Sequence, residues 1–275
     1  MGAISIQDAF KSLASTETQD EIMPIMFVGH GSPMNAIEAN EYTNTWKKIG
    51  QEIPKPKAIL CVSAHWLTTG TWVTAMDKPK TIHDFGGFPK ELFAAQYPAP
   101  GSPEFAKETA ELITKTKVGL DDHEWGLDHG TWSVLMPMFP KADIPVFQLS
   151  IDYAKPASYH YELAQELQKL RRKGVLILGS GNIVHNLGLI DWKGGSYDWA
   201  IEFDNTAKTL IDKGDHQSLI NYEKLGKAAQ LSIPTPDHYY PMLYTLGLQN
   251  KNEQVHYFND KTTMGSISMR SFIIK

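Results

Sequence analysis

The chain has 275 residues, 42% of them hydrophobic and 21% charged, with a formal net charge of −5 and an isoelectric point near 6.1. Its 21 glycines and 16 prolines are too few for a disordered or collagenous chain, and the acidic balance argues against a nucleic-acid binder, which would show a basic domain or stripe. No apolar run approaches the length of a membrane span, and the single cysteine, Cys61, allows no intrachain disulfide, so a cytoplasmic protein with no membrane or nucleic-acid partner is expected.

In chain order, residues 1–22 read as an N-terminal extension. Its first twenty residues hold Asp8, Lys11, Glu17 and Asp20 and no apolar block, so no signal peptide is expected. Ile6 stands where a myristoylation site needs Ser or Thr. The run Ile25–Val28 predicts a strand and leads into Gly29-His30-Gly31-Ser32-Pro33. Ala58–Ser63 predicts a second, leading into Ser63-Ala64-His65-Trp66, with Cys61 inside it as a small buried hydrophobe. Trp72–Met76 predicts a third. Residues 79–101 form a long connection. Ser102-Pro103 then reads as an N-cap followed by proline at the first helical position, opening a helix to about Thr116.

Residues 117–145 are a second long connection, and loops of this length usually carry function. Val146–Ile151 predicts a strand. Tyr159–Lys173 carries Leu163, Leu167 and Leu170 at helical spacing and stops at Gly174. Val175–Leu178 predicts a strand leading into Gly179-Ser180-Gly181-Asn182-Ile183-Val184-His185-Asn186. Asp198–Lys213 predicts a helix ending at Gly214, and Thr235-Pro236 opens another to Gly247. Ser266–Ile274 alternates in part and predicts a strand at the sheet edge. Strands apolar on both faces, alternating with helices, imply an α/β fold. The expectation is a three-layer single domain over 1–275, with a central, mostly parallel or mixed β-sheet and helices on both faces.

The ten histidines carry the chemical signal. His30, His65 and His185 each follow a predicted strand, and ligands of open α/β sheets bind beyond the carboxyl ends of the strands. His238 lies in Pro234-Thr235-Pro236-Asp237-His238-Tyr239-Tyr240-Pro241. Neutral imidazole is the commonest protein metal ligand, and three of them leave positions open for substrate. Each could equally cap a loop or bond within the core. His129, between glycines and beside aromatics in the second long connection, is expected to face the site. His160, His216 and His256 are expected at the surface, and His83 and His123 in loops. The carboxylates Asp121, Asp122 and Glu124 and the basic clusters Lys55-Pro56-Lys57 and Lys169–Lys173 read as solvated. Gly179-Ser180-Gly181 fails as a dinucleotide loop because Val184 holds the third glycine position. Neither a G-x-S-x-G elbow nor a P-loop is present.

Taken together, Gly29-His30-Gly31-Ser32-Pro33, Ser63-Ala64-His65-Trp66, Glu124-Trp125-Gly126-Leu127-Asp128-His129-Gly130, His185-Asn186-Leu187-Gly188 and Asp237-His238-Tyr239-Tyr240-Pro241 resemble the 4,5-DOPA extradiol dioxygenase family. That family belongs to the class III extradiol ring-cleaving dioxygenases and is related to the catalytic subunit of protocatechuate 4,5-dioxygenase. The resemblance runs in order from about residue 24 to the C-terminus. It implies one mononuclear divalent metal, with His30, His65 and His238 as ligands, where the protocatechuate branch has a glutamate as the third. It implies His185 as acid/base beside the metal, or as a fourth ligand, and His129 as a substrate contact. The implied metal is Fe(II) for activity, although three imidazoles also suit Zn(II). The implied reaction inserts O2 into a catechol such as DOPA to give a ring-opened semialdehyde, in a monomer or homodimer. A zinc hydrolase on the same residues, or a non-catalytic binding protein of this fold, are the alternatives. Asp237 is not expected to join His238 on the metal, because consecutive helical residues point about 100° apart.

Overall fold

The computed structural model describes residues 22–275; the readings made on the N-terminal extension fall outside it except at Ile22. The chain opens with β1 (Ile25–Gly29) and α1 (Glu41–Glu52), then β2 (Ala58–Ser63), β3 (Leu67–Thr68) and β4 (Thr71–Thr74). Next come α2 (Lys90–Ala94), α3 (Pro103–Leu112), β5 (Val118–Asp121) and α4 (His129–Met138). After β6 (Val146–Gln148) and β7 (Ile151–Asp152) follow α5 (Ala157–Gln165), α6 (Gln168–Arg172) and β8 (Val175–Gly181). Then come α7 (Asp198–Asp212), α8 (His216–Ile220), α9 (Lys227–Ser232) and α10 (Tyr240–Gly247). The chain closes with β9 (Val255–Phe258), β10 (Thr262–Thr263), β11 (Ile267–Ser268) and β12 (Ser271–Ile274).

The central sheet has the order β6-β2-β8-β1-β12-β9. Pairing from β6 to β1 is parallel, and β12 runs antiparallel to both β1 and β9. Period-two alternation sorts the inner strands onto two cores. Ile25, Phe27, Leu60 and Ile177 face α5, α7 and α10, whereas Met26, Val28, Ile59, Cys61 and Leu178 face α1 and α4. Both faces are dry, which is why these strands are continuous apolar runs. Among the described residues, no helix is long and apolar enough to cross a membrane.

Several elements differ from expectation. The run Ser266–Ile274 divides at Met269-Arg270, and β12 is interior; β9 is the edge, with His256 exposed. Trp72–Met76 is replaced by β4, which leaves the central sheet to pair with β5. Val146–Ile151 divides into β6 and β7, and Tyr159–Lys173 into α5 and α6. The helical break is tight, with Leu167 N–H donating to the carbonyl of Ala164 three residues back. The helix from Ser102-Pro103 closes at Leu112, short of Thr116. The connection 117–145 contains β5 and the buried helix α4. The last helix begins at Tyr240 rather than near Pro236. Pro241 explains that shift: it suits a first turn but would break the ladder of a helix begun five residues earlier.

Candidate active site

The carboxyl ends of β1, β2 and β8 deliver His30, His65 and His185 to one edge of the sheet, as their positions after three apolar runs predicted. His238 reaches that edge on the turn before α10. The approach requires glycine at Gly181, where a Cβ would lie 2.2 Å from the carbonyl oxygen of His238. His129 is the first residue of α4, whose N-cap is Asp128. Here too the neighbour is glycine for a reason, since a Cβ on Gly130 would lie 2.5 Å from Ser63 Oγ and 2.8 Å from His65 Cδ2.

His30, His65 and His238 each offer a nitrogen, and these atoms all lie within 4.8 Å of one another. The Nε2 atoms of His30 and His65 are 3.2 Å apart. His129 packs on His65 with ring centroids 3.9 Å apart. His185 stacks on His238 at 3.4 Å, the rings 7° from parallel.

Hydrogen bonds decide which nitrogen of each ligand candidate is free. Ser180 donates its one proton to the carbonyl of Gly130, so at 3.0 Å it can only accept from His30 Nδ1–H. His65 Nδ1 lies 3.4 Å from Asp84 Oδ2. His238 Nδ1 donates to Asp237 Oδ2. Nδ1 of His30 and of His238 thus carries its proton toward an oxygen, leaving the Nε2 lone pair of each free, and the Asp84 carboxylate draws the His65 proton toward Nδ1 in the same way. The His30 and His65 Nε2 atoms, 3.2 Å apart, are close enough to share one cation. The carboxylate– or hydroxyl–histidine pairs are the usual support of a metal-bound imidazole. The donor set therefore fits a divalent ion, whose nitrogen distances are about 2.0–2.1 Å for zinc.

Electrostatics point the same way. Burial, then repulsion from neighbouring imidazoles, holds His30 and His238 well below the ordinary histidine range. Burial pulls His65 and His185 down to about 4. All four are neutral at neutral pH, the form that ligates. Burial pushes the Asp84 carboxyl up, but its bond to His129 and the nearby imidazoles outweigh this and leave it below the usual carboxylate range.

Sequence reasoning missed the supporting residues. Asp84 accepts from His129 Nδ1 and from its backbone N–H, both at 2.9 Å. Its only sequence signal is a carboxylate beside glycines in a long connection. Ser180 sits in the failed dinucleotide pattern. Asp128 is fully buried and accepts from Ser63 Oγ and Gln148 Nε2, each at 2.6 Å. An aspartate one residue before a helix is an N-cap pattern, which could have found it.

Other readings are corrected. His160 is buried, not at the surface; it bonds Tyr244 Oη at 3.0 Å because α5 packs on α10. His216 is half-buried against Tyr161 Oη. Asp121 is buried and accepts the backbone N–H groups of Glu124 and Trp125, so only its neighbours are solvated. Arg171, within the basic cluster, is fully buried. Asp237 and His238 stand on a turn rather than a helix, so their side chains meet.

Residues 23–270 match the family described as the catalytic LigB subunit of aromatic ring-opening dioxygenase. The chain is 49% identical to "4,5-DOPA dioxygenase extradiol" of Escherichia coli K12, covering 90% of this chain and 93% of that one. It is 37% identical to the protein of the same name from Beta vulgaris, over 93% and 97% of the two chains. The crystal structure of an uncharacterized protein from Escherichia coli K12 superposes with a TM-score of 0.81 at 43% identity, covering 92% of this chain and all of that one.

Proposed function

Since the chain belongs to the family of the catalytic LigB subunit of aromatic ring-opening dioxygenase, and is an extradiol ring-cleaving dioxygenase, we propose that it opens a catechol of the DOPA type on divalent iron held by His30, His65 and His238. The observation that carries this ligand set is the convergence of one ring nitrogen each from His30, His65 and His238 within 4.8 Å of one another, with Nδ1 of His30 and of His238 engaged by Ser180 and Asp237. The same reading takes the chain as one catalytic domain, with DOPA suggested by the names of its relatives. Ring cleavage displaces the hydrolase and binding-protein alternatives.

Divalent iron would supply the one-electron exchange between catechol and O2 that ring cleavage needs and that redox-inert zinc cannot. The chain's own residues do the rest. His185, neutral and stacked on His238, can take the proton a catechol hydroxyl loses and return it to the opening product. His129 keeps Nε2 for the substrate because Asp84 holds its Nδ1. Phe85, edge-on to His129 at 5.5 Å, supplies apolar wall for an aromatic ring. Both oxygen atoms of O2 enter the product, so no reductant is needed.

Anaerobic loading with Fe2+, followed by O2 and a catechol panel that includes DOPA, should give oxygen uptake and a yellow ring-opened semialdehyde. The Zn2+-loaded protein should do neither. Absence of oxygen uptake with every catechol would sink the reading.

A further inference from the structure

One carboxylate serves two histidines with different tasks. Asp84 lies in the first long connection, at the tip of Ile82-His83-Asp84-Phe85-Gly86-Gly87, with its side chain 17% exposed. Its Oδ1 accepts the backbone N–H of His129 at 2.9 Å, a donor that the first turn of α4 leaves without a helical partner. Its Oδ2 accepts from His129 Nδ1 at 2.9 Å and faces His65 Nδ1 at 3.4 Å. Two N–H donors of His129 therefore bond one carboxylate, and the His65 imidazole approaches its Oδ2. An acceptor-only group suits this place, because an amide there would turn an N–H2 toward one of the two His129 donors. The two rings it holds lie 3.9 Å apart at their centroids.

We propose that Asp84 is a positioning residue that fixes the rings of His65 and His129 together, holding Nε2 of one for the metal and Nε2 of the other for the catechol. The proposal rests on the ligand and substrate roles given above for these two histidines. Losing Asp84 then weakens two separable things. Metal affinity falls through His65, and catechol affinity falls through His129. Removal of a partner of this kind typically costs about 10–100-fold in metal affinity.

The test needs no turnover. Zn2+ affinity of the apo-protein is measured by competition with a chromophoric chelator, and 4-nitrocatechol binding to the Zn2+-loaded protein is followed by its absorbance. Both are measured in wild type, Asp84→Asn, His129→Phe and the double variant. Asp84→Asn should lower Zn2+ affinity about 10–100-fold, with or without His129. It should lower 4-nitrocatechol affinity about tenfold in the wild-type background but less than about twofold beside His129→Phe, a non-additivity expected of residues in one network. Asp84→Glu should recover part of both losses.

Equal losses of 4-nitrocatechol affinity in the two backgrounds would overturn the His129 arm. Unchanged Zn2+ affinity in Asp84→Asn would overturn the His65 arm. Loss of Zn2+ as complete as in His30→Ala would make Asp84 a ligand instead. If these binding changes appear while the iron-loaded wild type cleaves no catechol, Asp84's role stands and the proposed reaction fails.

Discussion

At the amino ends of β1 and β8, Arg171 is fully buried and every face of its guanidinium finds an acceptor. Nε donates to Met23 O at 2.9 Å, Nη1 to Leu248 O at 3.1 Å and to Glu253 Oε2 at 3.2 Å, and Nη2 to Glu253 Oε1. At the carboxyl ends of the same strands, His30 and His238 are also buried, yet with His65 they turn ring nitrogens toward one another rather than toward protein oxygens. The contrast separates two uses of buried polarity. A group whose donors and acceptors all balance ties chain segments together. A group left unbalanced, with its outer nitrogen held by Ser180, Asp84 or Asp237, is arranged for something the chain itself does not contain.

The widest break in that contrast comes from His30→Ala. It should abolish metal binding and turnover together while moving the unfolding midpoint of the apo-protein less than Arg171→Met does; metal analysis beside urea unfolding checks both. If His30→Ala retained stoichiometric metal, the ligand set would be wrong. His185→Phe should keep the metal and lose turnover by about 10²–10⁴-fold, the usual worth of a positioned acid/base. Steady-state kinetics with iron content on the same sample reads this. Metal loss as complete as in His30→Ala would make His185 a fourth ligand, and full activity would move the acid/base role to His129.

Arg171→Met probes the other end of the sheet. It removes the cation beside Glu253 and strands the carbonyl of Met23, while that of Leu248 keeps Gln168 Nε2, and should cost about 3 kcal/mol in urea unfolding, as for other broken buried pairs, with Zn2+ affinity unchanged. A matching drop in metal affinity would mean the two ends are not independent.

The gentlest probe is acid. His65, His185 and His160 have folded-state values near 4, depressed by burial, against about 6.5 in an unfolded chain. On acidification the unfolded chain therefore takes up protons first. Apo-protein stability should be unaffected by these groups above about pH 6.5 and should fall between there and about pH 4. Saturating Zn2+ competes with protons at the cluster but not at His160, so it should shift the acid transition downward without removing it. Thermal melts across pH, with and without Zn2+, measure the shift. A transition indifferent to Zn2+ in wild type, as expected for His30→Ala, would break the link between cluster and ion.

Much of the molecule was legible locally. Runs apolar on both faces named β1, β2 and β8, because a strand buried on two sides has no polar position to offer. Their carboxyl ends then marked His30, His65 and His185, since loops there open onto one edge. Helix stops at Gly174 and Gly214 depended only on backbone conformation, both glycines having positive φ. What distance in sequence hid was decided by packing. Strand β12 became interior because β9, unmarked in the sequence, paired outside it. His160 and Arg171 sit among polar neighbours in sequence, yet α10 and the Glu253 segment cover them. Above all, the resemblance could name the histidines but not their tautomers. Those were set by Ser180, Asp84 and Asp237, two of them remote in sequence, because a proton's position on an imidazole depends on which oxygen the fold brings to its other nitrogen.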